Sequence, residues 1–371
     1  MTKKEILEIR KQFTPENCSL TRIVTGYVSP EKELSMFAPK AFLSLPEEEA
    51  FKYFDIFKAA LSGKKGKTLY DIEYPTVNGS SNEENMIREL RDSRLTRPEI
   101  TENFCEKIMD SYDCPEGYLI VFFKQKTAYE IPGKTADDEE NFDASDEVYE
   151  HILCCICPVS LSKPGLSIKP EEKKIEDRIR DWVIEKPLNA MLYPAFNDRS
   201  EDIHSLLYFS KNVKCMQEEF VHAMTGIQGE IRSGEDEKLL FGEKFTDCTN
   251  GNADYDILYA FQEKALEVLE SADTDEVKIS PKDLGSMLQS SGVEEEQAEA
   301  FVKSMGDVKE LNLGNLVDKS KMTVTLPDAT IKIPAQYAYR LEVKEIDGRM
   351  YAAFPIDENY VEVNGIAVKA R

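Results

Sequence analysis

The stretch that most constrains the fold of this chain runs from Pro187 to Ser210, where two apolar runs flank a short polar loop. The first run is Pro-Leu-Asn-Ala-Met-Leu-Tyr-Pro-Ala-Phe and the second is Ile-His-Ser-Leu-Leu-Tyr-Phe-Ser. This pattern predicts a β-hairpin or a pair of strands. The loop and its edge also bring carboxylates, a guanidinium and an imidazole together beside buried strands. No other stretch of the sequence combines these groups so closely, so we expect a functional site here.

The candidate site residues are Asp198, Asp202 and His204 as metal ligands, and Arg199 as the residue that binds the ligand. Carboxylate oxygens and an imidazole at loop spacing are suitable ligands for Mg²⁺ or Mn²⁺. The guanidinium of Arg199 would then face a phosphate or a carboxylate. The alternative is an ordinary hairpin loop, in which Asn197 or Asp198 shapes the turn and Arg199 pairs with a neighbouring acid.

The composition bounds the size of the protein and the kind of partner it has. A chain of 371 residues with 41% hydrophobic residues is long enough for two or three domains with buried cores. Its 46 Lys and Arg against 70 Asp and Glu give a net charge of −24. This charge argues against non-specific binding to nucleic acid and against anionic membranes, because both depend on basic side chains. A basic partner or a cation fits the charge better.

Periodicity and turn signals predict an α+β fold: a mixed core with antiparallel sheets flanked by helices, followed by a helical pair and a C-terminal β-meander. We expect the core domain at residues 1–230, a linker or long surface loop at 231–254, and the helical pair with the meander at 255–371. Few apolar residues and the run Thr-Asn-Gly-Asn favour the linker. Asp347-Gly348 and Asn364-Gly365 stand between alternating runs and are strong hairpin signals.

Two further motifs are weak signals for chemistry. Gly66-Lys67-Thr68 and Gly133-Lys134-Thr135 lack the earlier glycine of a phosphate-binding loop, so we interpret both as ordinary loops. Cys154-Cys155-Ile156-Cys157 contains a formal C-x-x-C, but it stands inside an apolar run of strand character and has no second C-x-x-C to complete a zinc site. We expect these cysteines to be small buried hydrophobic residues.

Several longer strings carry a resemblance to a known family. They are Ile279-Ser-Pro-Lys-Asp-Leu, Ser291-Gly-Val-Glu-Glu-Glu, Ala329-Thr-Ile-Lys-Ile, Tyr360-Val-Glu-Val-Asn-Gly, Cys154–Pro158, Leu161-Ser-Lys-Pro-Gly and Pro194-Ala-Phe-Asn-Asp-Arg-Ser. The chain resembles, over essentially its whole length, a bacterial family known as domain of unknown function family 4317. The resemblance implies a cytoplasmic bacterial protein and implies no activity.

Three functions fit these observations. The first is a non-enzymatic binding or regulatory protein with a protein or small-molecule partner, because the sequence has no recognisable catalytic motif and its hairpins offer binding edges. The alternative is a metal-dependent hydrolase or phosphotransfer-type enzyme that uses the Asp198–His204 loop. A third is an acidic nucleic-acid mimic.

The first ten residues form no export signal and the eight cysteines are scattered, so we expect a cytoplasmic protein with reduced thiols.

Overall fold

A computed structural model divides the chain into two compact units, Met1–Ser233 and Gly234–Arg371. The residues that it describes are 1–75, 80–130, 146–197, 199–212, 216–227, 232–251, 255–272, 276–326, 328–356, 360–363 and 366–369. Antiparallel sheets and helices make up both units, which confirms the predicted α+β class.

The first unit contains five α-helices and thirteen strands among its described residues. The helices are α1 Lys3–Lys11, α2 Glu47–Ala60, α3 Asn82–Asp92, α4 Pro98–Ser111 and α5 Glu218–Thr225. The strands are β1 Arg22–Val28, β2 Leu34–Met36, β3 Lys40–Ala41, β4 Leu69–Glu73, β5 Tyr118–Glu130, β6 Asp146–Leu161, β7 Leu166–Lys169, β8 Lys174–Asp177, β9 Trp182–Ile184, β10 Asn189–Tyr193, β11 Ala195–Asn197, β12 Ser200–Asp202 and β13 Ser205–Ser210.

The central sheet of the first unit has the order β2-β1-β5-β6-β10-β13-β4, and all its neighbours are antiparallel. Side chains of its central strands alternate between two cores: Leu119 and Val121 enter one, while Ile120 and Phe122 enter the other. Helices α1 and α2 cover the first face, and α3, α4 and α5 cover the second. A central sheet with helices on both faces buries both sides of each central strand, which explains why residues 118–123 of β5 and 152–159 of β6 are apolar at every position.

The predicted pairing within Pro187–Ser210 is confirmed, since β10 lies antiparallel to β13 with Leu192 opposite Leu207. A smaller hairpin, β11–β12, is nested at its tip after a cis Tyr193–Pro194 peptide bond. The polar loop therefore lies at the end of two central strands of the sheet.

The second unit is built from five α-helices and eight strands among its described residues. The helices are α6 Gly234–Cys248, α7 Tyr255–Ser271, α8 Pro281–Ser290, α9 Glu295–Ser304 and α10 Leu313–Leu316. The strands are β14 Lys278–Ile279, β15 Leu311–Asn312, β16 Lys321–Leu326, β17 Ala329–Pro334, β18 Glu342–Ile346, β19 Arg349–Ala353, β20 Tyr360–Val363 and β21 Ile366–Lys369.

Helices α7 to α10 follow one another as two helix–loop–helix units whose loops pair through β14 and β15, with Ile279 opposite Leu311. This order of elements is that of an EF-hand pair. We place Leu311, which lies in the short strand β15, at the eighth position of a twelve-residue calcium-binding loop. The first three ligand positions, 1, 3 and 5, are then occupied by Ser304, Gly306 and Val308. These three residues bring no carboxylate to that loop.

Helix α6 occupies most of the segment 231–254 that we expected to be a linker. Its side chains Phe241 and Phe245 are buried in the same core as Phe261 of α7 and Phe301 of α9. The ring of Phe241 stacks on that of Phe261 at 5.0 Å and meets the edge of Phe301 at 5.8 Å. Two phenylalanines four positions apart place one aromatic stripe on this otherwise charged helix, and this stripe is enough to bury it.

The strands at the C-terminal end pair as three separate hairpins, β16–β17, β18–β19 and β20–β21. Asp347 and Gly348 both have positive φ values, 49° and 74°, as the turn signal between β18 and β19 predicts. Asn364 and Gly365 lie outside the described residues. Within the described part of the chain, we find no helix with the length and apolar character needed to cross a membrane.

Candidate functional site

The polar loop that we predicted as a site is the tip of the β11–β12 hairpin. Asn197 and Ser200 face each other across it, so the loop consists of two residues. Arg199 adopts a left-handed backbone conformation, with φ +59°, which such a tight turn requires. Asp198, the first of the predicted metal ligands, lies outside the described residues.

Arg199 is bound to helix α1. Its guanidinium Nη1 donates to both carboxylate oxygens of Glu8, at 2.9 and 3.0 Å, and its backbone N–H donates to Glu5 Oε1 at 3.0 Å. The side chain thus holds the hairpin tip against the helix that covers the first face of the sheet. This geometry matches the alternative in which Arg199 pairs with a neighbouring acid.

Asp202 serves the turn between β12 and β13. It accepts a hydrogen bond from Asn197 Nδ2 at 2.6 Å and one from the backbone N–H of His204 at 3.1 Å. Burial by itself would raise the pKa of Asp202, but hydrogen bonds from Ser205, Asn197 and the His204 N–H outweigh it and lower the pKa. Asp202 is therefore a stably ionised carboxylate whose two oxygens both have protein donors.

His204 turns toward helix α3 on the second face of the sheet. Its Nδ1 lies 3.1 Å from Oε1 of Glu84, a carboxylate that is completely buried. The same oxygen is paired with the guanidinium of Arg88, one turn further along α3. Among the four predicted site residues, Arg199 and His204 therefore point to different helices.

The position of Glu84 in its helix explains how a buried carboxylate is tolerated there. Ser81 caps α3, and the backbone N–H of Glu84 donates to Ser81 Oγ at 3.1 Å. Glu84 thus stands in the first turn, where the positive end of the helix dipole stabilises a negative charge. Its side chain leaves the helix end and turns inward to Arg88 and His204.

Four aromatic and charged side chains complete the surroundings of Glu84. The ring of Tyr74, just after β4, meets the ring of Tyr193 at 6.0 Å, and both are buried. Burial, and then the nearby Tyr193 and Glu84, raise the pKa of Tyr74 well above its ordinary value, so its hydroxyl stays protonated. Arg91 lies over the Tyr193 ring at 5.9 Å and pairs with Glu201.

Three buried polar atoms of this cluster have no hydrogen-bond partner: Tyr74 Oη, Glu84 Oε2 and Arg88 Nε. Buried polar atoms without partners are rare in folded proteins, and each one needs an explanation. An ionised carboxylate oxygen accepts, an arginine N–H donates, and a tyrosine hydroxyl does either. Arg88 is paired with Glu84 and Tyr74 lies near the same carboxylate, so one buried cluster holds both unused donors and an unused acceptor.

Sequence reasoning singled out Asp202 and His204 as metal ligands, which stays a prediction, and did not single out Tyr74, Glu84 or Arg88. The spacing Ser81-x-x-Glu84 was the available signal, because it has the form of a capping box. That signal predicts a glutamate bonded to its own helix end, so it gives no hint of a partner on a distant turn. We found no group of three or more metal-binding side chains in the described part of the chain, from which Asp198 is missing.

The two weaker motifs have structural roles. Cys154 faces the second core, whereas Cys155 and Cys157 face the first, so the two cysteines of the C-x-x-C lie on opposite sides of β6. Burial raises the pKa of Cys157 to about 12 and keeps it a thiol. Thr68 Oγ1 accepts from the Lys64 N–H at 2.9 Å and closes an ordinary turn. The second Gly-Lys-Thr triplet lies outside the described residues.

Comparisons with known proteins give one match. A family model described as Domain of unknown function (DUF4317) matches residues 1–366. No curated protein matches the chain. No solved structure matches it either.

Proposed function

Because the chain belongs to the family described as Domain of unknown function (DUF4317), whose description names no activity, we propose a function from the site alone. We infer that it is a non-enzymatic binding protein of the cytoplasm that takes a small polar ligand beside Glu84. The observation that supports this proposal is the completely buried Glu84 carboxylate, which has one oxygen without a partner next to the similarly unpartnered Arg88 Nε and Tyr74 Oη.

The unpartnered atoms define the chemical class of this ligand. Glu84 Oε2 needs a donor and the Nε–H of Arg88 needs an acceptor, so the ligand has both groups close together. The ion pairs Arg88–Glu84 and Arg91–Glu201 each balance their own charges, which favours a ligand without net charge. Amides, ureas and nucleobases have this combination of an N–H group beside a carbonyl group.

The proposal is tested by thermal unfolding of the full chain in the presence of a panel of amides, ureas, nucleobases, amino acids and divalent metal ions. A ligand that binds only the folded state raises the free energy of unfolding, by about 2.7 kcal/mol at a hundred times its Kd. We expect at least one N–H and carbonyl compound to raise the melting temperature, and Glu84→Gln to abolish the rise.

The matched control is Glu89→Gln, which makes the same change on an exposed position of α3. It should leave the ligand response unchanged. A Glu84→Gln protein that is folded and still responds like the unmodified chain would refute the assignment of this site. Stabilisation by Mg²⁺ or Mn²⁺ that disappears in Asp198→Ala would instead support the metal-dependent hydrolase or phosphotransfer-type enzyme.

A further inference from the structure

An arm formed by residues Ser162–Lys186 has seven exposed apolar side chains, more than any other segment of its length among the described residues of the first unit. Its strands β7 and β8 form a hairpin. The segments before β7 and after β8 also contact each other, since the Ser162 N–H donates to Asp181 O at 2.9 Å. Within the described residues, β7 and β8 pair only with each other. Both outer edges of this hairpin therefore have backbone groups that no described strand uses.

The arm has one apolar face and one polar face. Leu166, Ile168 and Ile175 share a face because Ile168 stands opposite Ile175, and they are 76%, 69% and 65% exposed. On the other face Lys169 and Lys174 both pair with Glu176, each at 2.5 Å. A two-stranded hairpin is marginally stable in water unless its apolar face is covered.

Exposed apolar side chains continue from the hairpin to the base of the arm. These side chains are Ile179, Trp182, Val183 and Ile184, of which Trp182 is 67% exposed and is the only tryptophan of the chain. Together with the three residues of the hairpin face they make seven exposed apolar side chains along the arm.

The charge of the arm differs from that of the rest of the chain. Between Ser162 and Lys186 there are seven Lys and Arg and six Asp and Glu, a net charge of +1 in a chain of −24. Two copies of this chain repel each other over most of their surface, but their arms meet without net repulsion. The arm is therefore the surface on which a second copy fits best.

The sequence of β8 specifies how two arms would pair. It lies in Lys173-Lys174-Ile175-Glu176-Asp177, whose charges are reversed on the two sides of Ile175. In an antiparallel pair centred on Ile175, Lys174 stands opposite Glu176 of the second copy, and by symmetry Glu176 stands opposite Lys174 of that copy. Opposite charges that face each other across two strands are stabilising. The same register places Ile175 opposite its own copy and keeps both apolar faces on one side.

We propose that the arm is a dimerisation surface, on which two copies join their β8 strands antiparallel around a two-fold axis at Ile175. The two hairpins then form one four-stranded sheet, in which the two apolar faces lie side by side and make one larger apolar face. A two-fold contact uses the same patch on both subunits, which the charge pattern of β8 satisfies.

The test is the oligomeric state of the full chain by sedimentation velocity over a range of concentrations. We expect a monomer–dimer equilibrium at micromolar protein. Glu176→Lys places lysines opposite each other at two positions and should weaken the dimer at least tenfold. Lys174→Glu should weaken it similarly, and the combined Lys174→Glu and Glu176→Lys variant should regain most of the affinity.

The control is Glu171→Lys, which makes the same charge change in the exposed turn beyond the paired residues and should weaken the dimer much less. Glu171 and Lys174 are exposed and Glu176 is half-buried, and ion pairs near the surface contribute little to stability, so the melting temperature of each monomer should stay close to that of the unmodified chain. A monomer at every concentration would overturn the proposal. Equal weakening by Glu171→Lys and Glu176→Lys would overturn it too, as would a blue shift of Trp182 fluorescence on lipid vesicles without any dimer.

Discussion

At the scale of single residues, His151 is the most unusual side chain in the first unit. It is completely buried on β6, its ring stacks on Tyr149 at 4.5 Å, and neither ring nitrogen has a hydrogen-bond partner. Burial lowers its pKa from 6.5 to about 3. The folded protein therefore holds a neutral imidazole at every pH where the protein is normally handled.

This buried imidazole predicts a dependence of stability on pH. Below about pH 6.5 His151 binds a proton in the unfolded chain but stays neutral in the folded chain. The free energy of unfolding therefore falls as the pH decreases toward 3. The expected slope is about 1.4 kcal/mol for each pH unit in that window. His151→Phe keeps an aromatic ring on Tyr149 and removes the titration, so its unfolding free energy should fall less steeply.

The measurement is urea denaturation of both proteins at several pH values between 7 and 4. Carboxylates contribute equally to the two curves, so the difference between the slopes reports His151 alone. Parallel curves for the two proteins would show that His151 has the same pKa in the folded and the unfolded state, which would contradict the prediction.

The candidate site shows which residues a sequence can reveal. Asp202 and His204 were predictable because they stand beside apolar runs of strand character, and the Cys154–Cys157 run was predictable as buried strand. Glu84 was not, because its partner His204 is 120 positions away and only the folded sheet brings α3 over the β12–β13 turn. A sequence pattern predicts contacts between residues that are close in the sequence, whereas this site is made of contacts between residues that are far apart in the sequence.

At the scale of elements, α6 shows how two buried side chains make a charged segment a packed helix instead of a linker. Composition favoured a linker at 231–254, but Phe241 and Phe245 add one aromatic stripe, and the helix packs on α9 and α10. Its Glu237 also accepts from the Asn312 N–H at 3.2 Å and from Asn315 Nδ2 at 2.6 Å. Helix α6 is thus an integral part of the core around the EF-hand-like pair.

Phe241→Ala should lower the stability of the second unit strongly. The ring is buried between Phe261 and Phe301, and removal of a buried phenylalanine costs about 3–5 kcal/mol. Leu239→Ala on the same helix removes a side chain that is 63% exposed and should change stability by less than about 0.5 kcal/mol. Chemical denaturation of both variants checks this, and equal losses would mean that α6 does not belong to the core.

At the scale of the whole molecule, the chain consists of two units that each have their own hydrophobic core. The first unit buries both faces of one sheet, and the second buries the helices α6 to α10 around Phe301. A part of a chain with its own core can in principle fold alone.

We therefore expect fragments 1–233 and 234–371 to fold separately, each with a cooperative thermal transition and dispersed amide NMR signals. Fragment 255–371 lacks α6 and leaves Phe261 and Phe301 without their partner, so it should be unfolded or aggregated. A folded 255–371 with the stability of 234–371 would contradict this, and would return the boundary to the end of the 231–254 segment.

The neighbours β4 and β13 have a consequence for the newly made chain. Ile72 pairs with Leu206, about 130 residues later in the sequence. A ribosome adds roughly 5–20 residues each second, so β4 emerges on the order of ten seconds before its only neighbour in the described sheet has been synthesised. For that time the nascent protein carries a strand whose apolar side chains Leu69 and Ile72 are not yet covered and whose edges are both unpaired. During this interval a chaperone on the ribosome could bind the unpaired strand and prevent its association with other chains.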